Sequence, residues 1–200
     1  TTEIYTLSLH DALPIFIAHI ALGQISLLLV ASILGAWWCL RHGREWEAGV
    51  LLGFACAIKL FPLIFALYLL LRRHWKALAT MILMTFFFSV IPLVVVSPDD
   101  YGRYFLEVTP NNFSNCVFFP VNLSMISVIN RFLSEGPWVV PLVDAPQLIQ
   151  PLTCAFTLVV VLIMCKKLLD LPSNTHGDDL AFSYVCLAML LLAPISWLHI

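Results

Sequence analysis

Charged side chains are scarce in this chain: ten Lys and Arg and twelve Asp and Glu serve 200 residues. At 11% charged, with a net charge of -2, it has no basic face for nucleic acid. It also lacks the quarter or so of charged residues usual on a soluble domain. Walker, GxSxG, HExxH and Rossmann patterns are all missing, which removes the common nucleotide, hydrolase and zinc-peptidase signatures. No CxxC pair joins the six cysteines, Cys39, Cys56, Cys116, Cys154, Cys165 and Cys186. Five of them lie in or beside apolar runs and read as small hydrophobes. Internal repeats and low-complexity tracts are likewise absent.

What the chain has is hydrocarbon. Residues of the AVILMFWYC set make up 61% of it, and the mean hydropathy is +0.95. They gather in long uncharged runs, Ile20–Leu40, Ala77–Pro98, Ala145–Cys165 and Leu180–Ile200. Each reaches the roughly 20 residues that cross a hydrocarbon core. A buried soluble helix is rarely so long and so apolar on every side. The expected fold class is all-α: a polytopic helical membrane protein with about five to six membrane segments.

The first fifteen residues, TTEIYTLSLHDALPI, match the conceptual translation of a common short-read sequencing adapter at every position. They are set aside as non-native, and fold reasoning covers residues 16–200 as one membrane domain. The chain is then expected to be a fragment: joined mid-sequence near Phe16, and ending at ISWLHI within an apolar segment.

A first span is expected over Ile17–Leu40, followed by the polar loop Arg41–Glu47. Glu47–Ile58 is apolar, with Gly49, Gly53, Ala55 and Ala57 suited to close helix packing. Lys59 and Pro62 interrupt the pattern; Pro62–Leu71 is apolar again and Arg72–Lys76 is a second basic loop. Lys76–Val96 and Leu148–Cys165 read as spans, and Leu180–Ala193 as the start of a last one. Ser97–Phe119 and Lys166–Asp179 read as polar loops, Pro120–Leu133 as a short amphipathic interfacial stretch, and Gly136–Pro146 as irregular.

Basic loops favour the cytoplasmic side, so RHGR, RRHWK and Lys166-Lys167 belong there, and the segment from Ser97 to Pro146 outside. A single span over Glu47–Leu71 would put its two basic ends on opposite faces. Half-helices of about 12 and 10 residues, rising roughly 18 and 15 Å, are too short for each to cross. A hairpin entering from the cytoplasm and turning at Lys59–Pro62 satisfies the charge pattern better than one kinked span.

With that orientation the unusual polar residues share the outer side. Gln24 sits at the outer end of the first span, Lys59 at the hairpin tip, Asn122 and Arg131 in the outer segment, and Trp197 and His199 at the outer end of the last span. Polar groups in lipid are costly, so their convergence suggests a cavity opening outward. Each also has a plainer reading: Lys59 snorkelling or structurally paired, Gln24 bonding a neighbouring helix, Trp197 and His199 in an aromatic belt, Arg131 on a lipid headgroup. Asp99, Asp100 and Glu107 read as solvated loop charges. A transporter or permease is the competing reading, since broken helices and a buried lysine also suit a midplane substrate site. It should show paired broken segments, and only one is visible.

At these residues the chain resembles the polyprenyl-phosphate-mannose-dependent α-mannosyltransferases, glycosyltransferase family 87 of the GT-C membrane superfamily. The matching pieces are Gly23-Gln24-Ile25-Ser26-Leu27-Leu28, Gly49-Val50-Leu51-Leu52-Gly53 with Lys59-Leu60-Phe61-Pro62, and the following RRHW loop. Asn122-Leu123-Ser124 with Arg131, and Pro194-Ile195-Ser196-Trp197-Leu198-His199, complete the set. Ser26, Leu123, Ser127 and Ile200 depart from the family pattern. The resemblance implies a GT-C-like fold in a bacterial plasma (inner) membrane, crossed several times. It implies transfer of a hexose, mannose by preference, from a polyprenyl-phosphate sugar donor to a glycolipid or glycan acceptor on the outer face. Partners are membrane lipids and these substrates, not nucleic acid. No cofactor or metal is implied, because the lipid-linked sugar phosphate is itself a substrate. Lys59, Arg131 and His199 are candidates for the donor phosphate, and Gln24, Asn122 and Trp197 for the sugar. The acid that deprotonates the acceptor is expected upstream of residue 16, which leaves the fragment inactive by itself.

Overall fold

A computed structural model of the chain describes residues 26–137 and 139–193. Gln24, Trp197 and His199 lie outside the described residues. The chain's regular elements are all helical among the described residues, with one isolated antiparallel bridge between Gly136 and Val139.

Helix α1, Ser26–Arg41, buries Leu29, Ser32, Ile33, Ala36 and Cys39, a face repeating every three to four residues. The turn that follows needs a left-handed residue, supplied by Gly43 at φ 71°. Helix α2, Glu45–Ile58, starts with Glu45 and Glu47 against the positive end of its dipole. It stops because Pro62 has no N–H for the Ile58 carbonyl and its ring would strike that carbonyl. Lys59 is accordingly extended (φ -146°, ψ 134°), and Phe61–Ile64 forms a 3-10 turn before α3, Phe65–Leu71.

The direction of α3 decides between hairpin and kinked span. His74 Nδ1, just beyond α3, lies 3.1 Å from Oε1 of Glu45 at the start of α2. The chain therefore leaves one end of the molecule, turns at Lys59 and returns. Helix α4, Trp75–Val90, then runs parallel to α2. Gly49 faces Ala77 and Thr80, and one turn farther along Gly53 faces Met81 and Met84. A Cβ on Gly49 would sit 2.5 Å from the Ala77 carbonyl oxygen, and one on Gly53 2.8 Å from that of Met81. Both positions need glycine for the backbones to touch.

After a 3-10 turn at Ile91–Val94, Ser97 accepts a hydrogen bond from the Asp100 N–H and opens α5, Pro98–Arg103. A π-helical segment, Tyr104–Val108, joins it to α6, Thr109–Val117. The segment expected as a polar loop is thus largely helical. Its polarity is real, but the capping Ser97 and the Arg103–Glu107 pair at 3.5 Å are compatible with helix. Helix α7, Met125–Leu133, is the expected amphipathic stretch, capped by Ser124. Helix α8, Ile149–Asp170, outruns its expected end at Cys165, because Lys166 and Lys167 suit a last helical turn. Only residues 171–174 separate it from α9, Thr175–Leu192, where Asn174 Oδ1 accepts from the Gly177 N–H at 2.7 Å.

Among the described residues, two helical stretches are long and apolar enough to cross a membrane, Trp75–Val94 and Pro146–Asp170. Only 11% and 6% of their most apolar windows are buried. A soluble core helix would be mostly covered, so these bare apolar flanks fit lipid better than water. The core lies where α1, α2, α3, α4 and α9 meet, around Leu52, Phe65, Tyr68, Leu69, Met81 and Val185.

Candidate functional site

The two ends of this bundle differ in chemistry. At the end carrying the basic loops, Arg72 is almost fully buried, its side chain 6% exposed. Its guanidinium donates to Asp178, with Nε at 2.8 Å from Oδ1, and to the carbonyls of Leu168, Leu171 and Pro172. Arg41 pairs with Asp179 at 3.2 Å, and the Trp37 indole N–H donates to the same carboxylate at 2.8 Å. These two arginine–aspartate pairs make this end a clasp holding α9 and the end of α8 to α1 and α3.

The opposite end holds a cavity of about 410 Å³, within the usual size range for small-molecule sites. Its floor is the last turn of α2 with Lys59 and Leu60. One wall is the second half of α4 with Thr85, Phe88 and Ser89, and its roof is Tyr101, Tyr104, Phe105 and Thr109. The chain places Lys59 here because Pro62 ends α2 one residue before it. The Lys59 ammonium lies 5.8 Å from the centre of the Phe61 ring, and among the described residues no carboxylate pairs with it. The side chain is exposed rather than enclosed, so the cavity presents a positive charge beside aromatic and hydroxyl groups.

Asn122 and Arg131 do not line this cavity. Asn122 is fully buried: its Nδ2 donates to the Cys116 carbonyl at 3.1 Å and its Oδ1 accepts from the Ser124 N–H at 3.1 Å. Arg131 Nη1 donates to the carbonyls of Phe119 and Pro120, at 3.2 and 2.8 Å, beside a separate apolar hollow with Phe132 and Leu142. Ser127, a departure from the family pattern, donates its hydroxyl to Val117 O at 2.6 Å. These motif residues therefore brace one turn, between α6 and α7, in the arrangement seen. The roof residues Tyr101, Tyr104 and Phe105 escaped the sequence reading; their only signal was an aromatic cluster, YGRYF, in a polar stretch. No group of three or more His, Cys, Asp or Glu side chains gathers at one point among the described residues.

The family model of glycosyltransferase family 87 matches residues 11–198. A polyprenol-phosphate-mannose-dependent alpha-(1-2)-phosphatidylinositol pentamannoside mannosyltransferase of Mycobacterium tuberculosis is 31% identical over 179 residues, 88% of this chain and 38% of that protein. A polyprenol-phosphate-mannose-dependent alpha-(1-2)-phosphatidylinositol mannoside mannosyltransferase of Mycolicibacterium smegmatis is 25% identical over 185 residues, 88% of this chain and 39% of that protein. The chain thus spans about two fifths of the length of these curated relatives. No solved structure matches it. The relatives carry transferase names, which leaves the permease reading without support.

Proposed function

The chain belongs to glycosyltransferase family 87, and from that premise we propose that it is the donor-side part of a bacterial membrane mannosyltransferase. The donor is polyprenyl-phosphate mannose and the acceptor a mannosylated phosphatidylinositol glycolipid, the substrates in the relatives' names. The observation that carries this reading is Lys59: a cation with no carboxylate partner among the described residues, at the mouth of a cavity large enough for a sugar phosphate.

In this reading residues 16–200 are the membrane domain, residues 1–15 being non-native, and the protein crosses the plasma membrane several times. The clasp end, with its arginines and lysines, faces the cytoplasm and the Lys59 cavity faces outward. The donor's isoprenoid tail lies in the bilayer beside the bare flanks of α4 and α8. Its phosphate meets Lys59. As the anomeric C–O bond breaks, negative charge grows on the departing phosphate, and a fixed ammonium there stabilises the transition state more than the ground state. A carboxylate outside residues 16–200 takes the proton from the acceptor hydroxyl. His199 remains a candidate for the same phosphate, and Gln24 and Trp197 for sugar contacts, while Asn122 and Arg131 brace the turn between α6 and α7.

Binding of a short-chain prenyl-phosphate mannose to the chain in lipid nanodiscs tests the reading. Lys59→Gln should weaken binding at least tenfold, about the strength of one lost charge-assisted contact. Unchanged affinity in that variant would remove Lys59 from the donor site. The chain alone should show no mannosyl transfer, and turnover would refute the placement of the base outside it.

A further inference from the structure

The cavity's roof carries more information than its charge. The chain cannot wind as a regular α-helix through residues 104–110. Pro110 has no N–H for the Leu106 carbonyl and its ring presses against it. The Thr109 N–H reaches back instead to the Tyr104 carbonyl, five residues away, and the Thr109 hydroxyl donates to the same oxygen at 2.9 Å. Such π-turns recur at functional sites. Here two hydrogen bonds converge on the backbone of one residue, Tyr104.

The Tyr104 ring is braced as well. It meets Phe105 edge-on, with centres 5.3 Å apart and planes at 89°, and Phe105 meets Tyr101 at 5.0 Å and 68°. The Tyr101 hydroxyl donates to the Ser89 carbonyl at 2.6 Å, which ties the row of rings to α4. Tyr101 is thereby a strut. Tyr104 is different: it is 53% exposed, it lines the cavity, and its hydroxyl has no hydrogen-bond partner among the described residues. An aromatic ring fixed in place yet left uncovered, in the same cavity as an ammonium with no carboxylate partner among the described residues, suits a ligand with an apolar C–H face next to an anion. A hexose phosphate has that form.

We propose that Tyr104 is the sugar platform of this cavity, stacking on the mannose of a lipid-linked mannosyl phosphate whose phosphate meets Lys59. The assignment rests on the donor-site reading above. The C–H face of the pyranose lies on the ring, and the Tyr104 hydroxyl reaches a sugar hydroxyl.

The test compares two ligands on the chain in nanodiscs: a short-chain prenyl-phosphate mannose and the same prenyl phosphate without sugar. The wild-type chain should prefer the mannosylated lipid. Tyr104→Ala should erase roughly tenfold of that preference while leaving affinity for the bare phosphate unchanged, and Tyr104→Phe should keep most of it. Lys59→Gln should weaken both ligands. A Tyr104→Ala chain that keeps the preference, or loses affinity for both ligands equally as an interfacial anchor would, overturns the platform and leaves the donor site standing. So does a wild-type chain that binds both lipids alike. A wild-type chain that binds neither lipid overturns the donor-site reading, and the platform with it. Circular dichroism on each variant confirms that the helices persist.

Discussion

The clasp end and the cavity end are joined by the same helices yet follow opposite rules. At the clasp, Arg72 is buried and its guanidinium is bonded to Asp178 and to the carbonyls of Leu168, Leu171 and Pro172. At the cavity, some 21 Å away along α2, Lys59 has no carboxylate partner and Tyr104 no cover among the described residues. Satisfied charges hold a fold together. Unsatisfied ones are kept only where something else supplies the partner. The comparison teaches that stability and binding are separated in space here, so substitutions at the two ends should fail in different assays.

Arg72→Met gives the sharpest break. It leaves Asp178 and the carbonyls of Leu168, Leu171 and Pro172 without their donor, and should destabilise the chain by about 3 kcal/mol in thermal unfolding in detergent. A loss near zero would show that the clasp carries no weight. Between the two ends, Gly49→Val should cost about 2 kcal/mol by driving α2 away from the Ala77 carbonyl, read in the same melts. Asp179→Asn keeps an acceptor for the Trp37 indole and loses only the half-exposed pair with Arg41. About 0.5 kcal/mol is expected, shrinking as salt is added. Lys59→Ala, at the other end, should move the melting curve by less than about 0.5 kcal/mol. If it destabilises as strongly as Arg72→Met, the distinction between the ends collapses.

Much of the architecture could be read from residue order. Long uncharged runs announced the helices, and the placement of Arg41, Arg44, Arg72 and Arg73 against Pro62 pointed to a hairpin, as the Glu45–His74 contact shows. The spacing of Gly49 and Gly53 foretold a close helix contact, although not that the partner would be the parallel α4. Two things were hidden. The Arg72–Asp178 pair joins residues 106 apart, and nothing local distinguishes such charges from solvated loop residues. The roof over Lys59 was hidden by its own polarity, since capping and a proline-driven π-turn make helices that hydrophobic periodicity does not reveal. Lys59 was legible because a lysine inside an apolar run is an anomaly. Asn122 and Arg131 were legible as motif residues, but the turn they hold between α6 and α7 depends on backbone carbonyls that no motif displays.

The turn at Lys59 also changes the parity of the chain. Counting Glu47–Leu71 as a single crossing would assign the loops at residues 42–44 and 72–74 to opposite compartments, and every later loop would be inverted with them. The hairpin brings His74 back beside Glu45, so the two loops lie at the same end of the bundle. Reporter tags inserted at Gly43 and after Arg73 should therefore give the same signal, and opposite signals would show that Glu47–Leu71 crosses as one span.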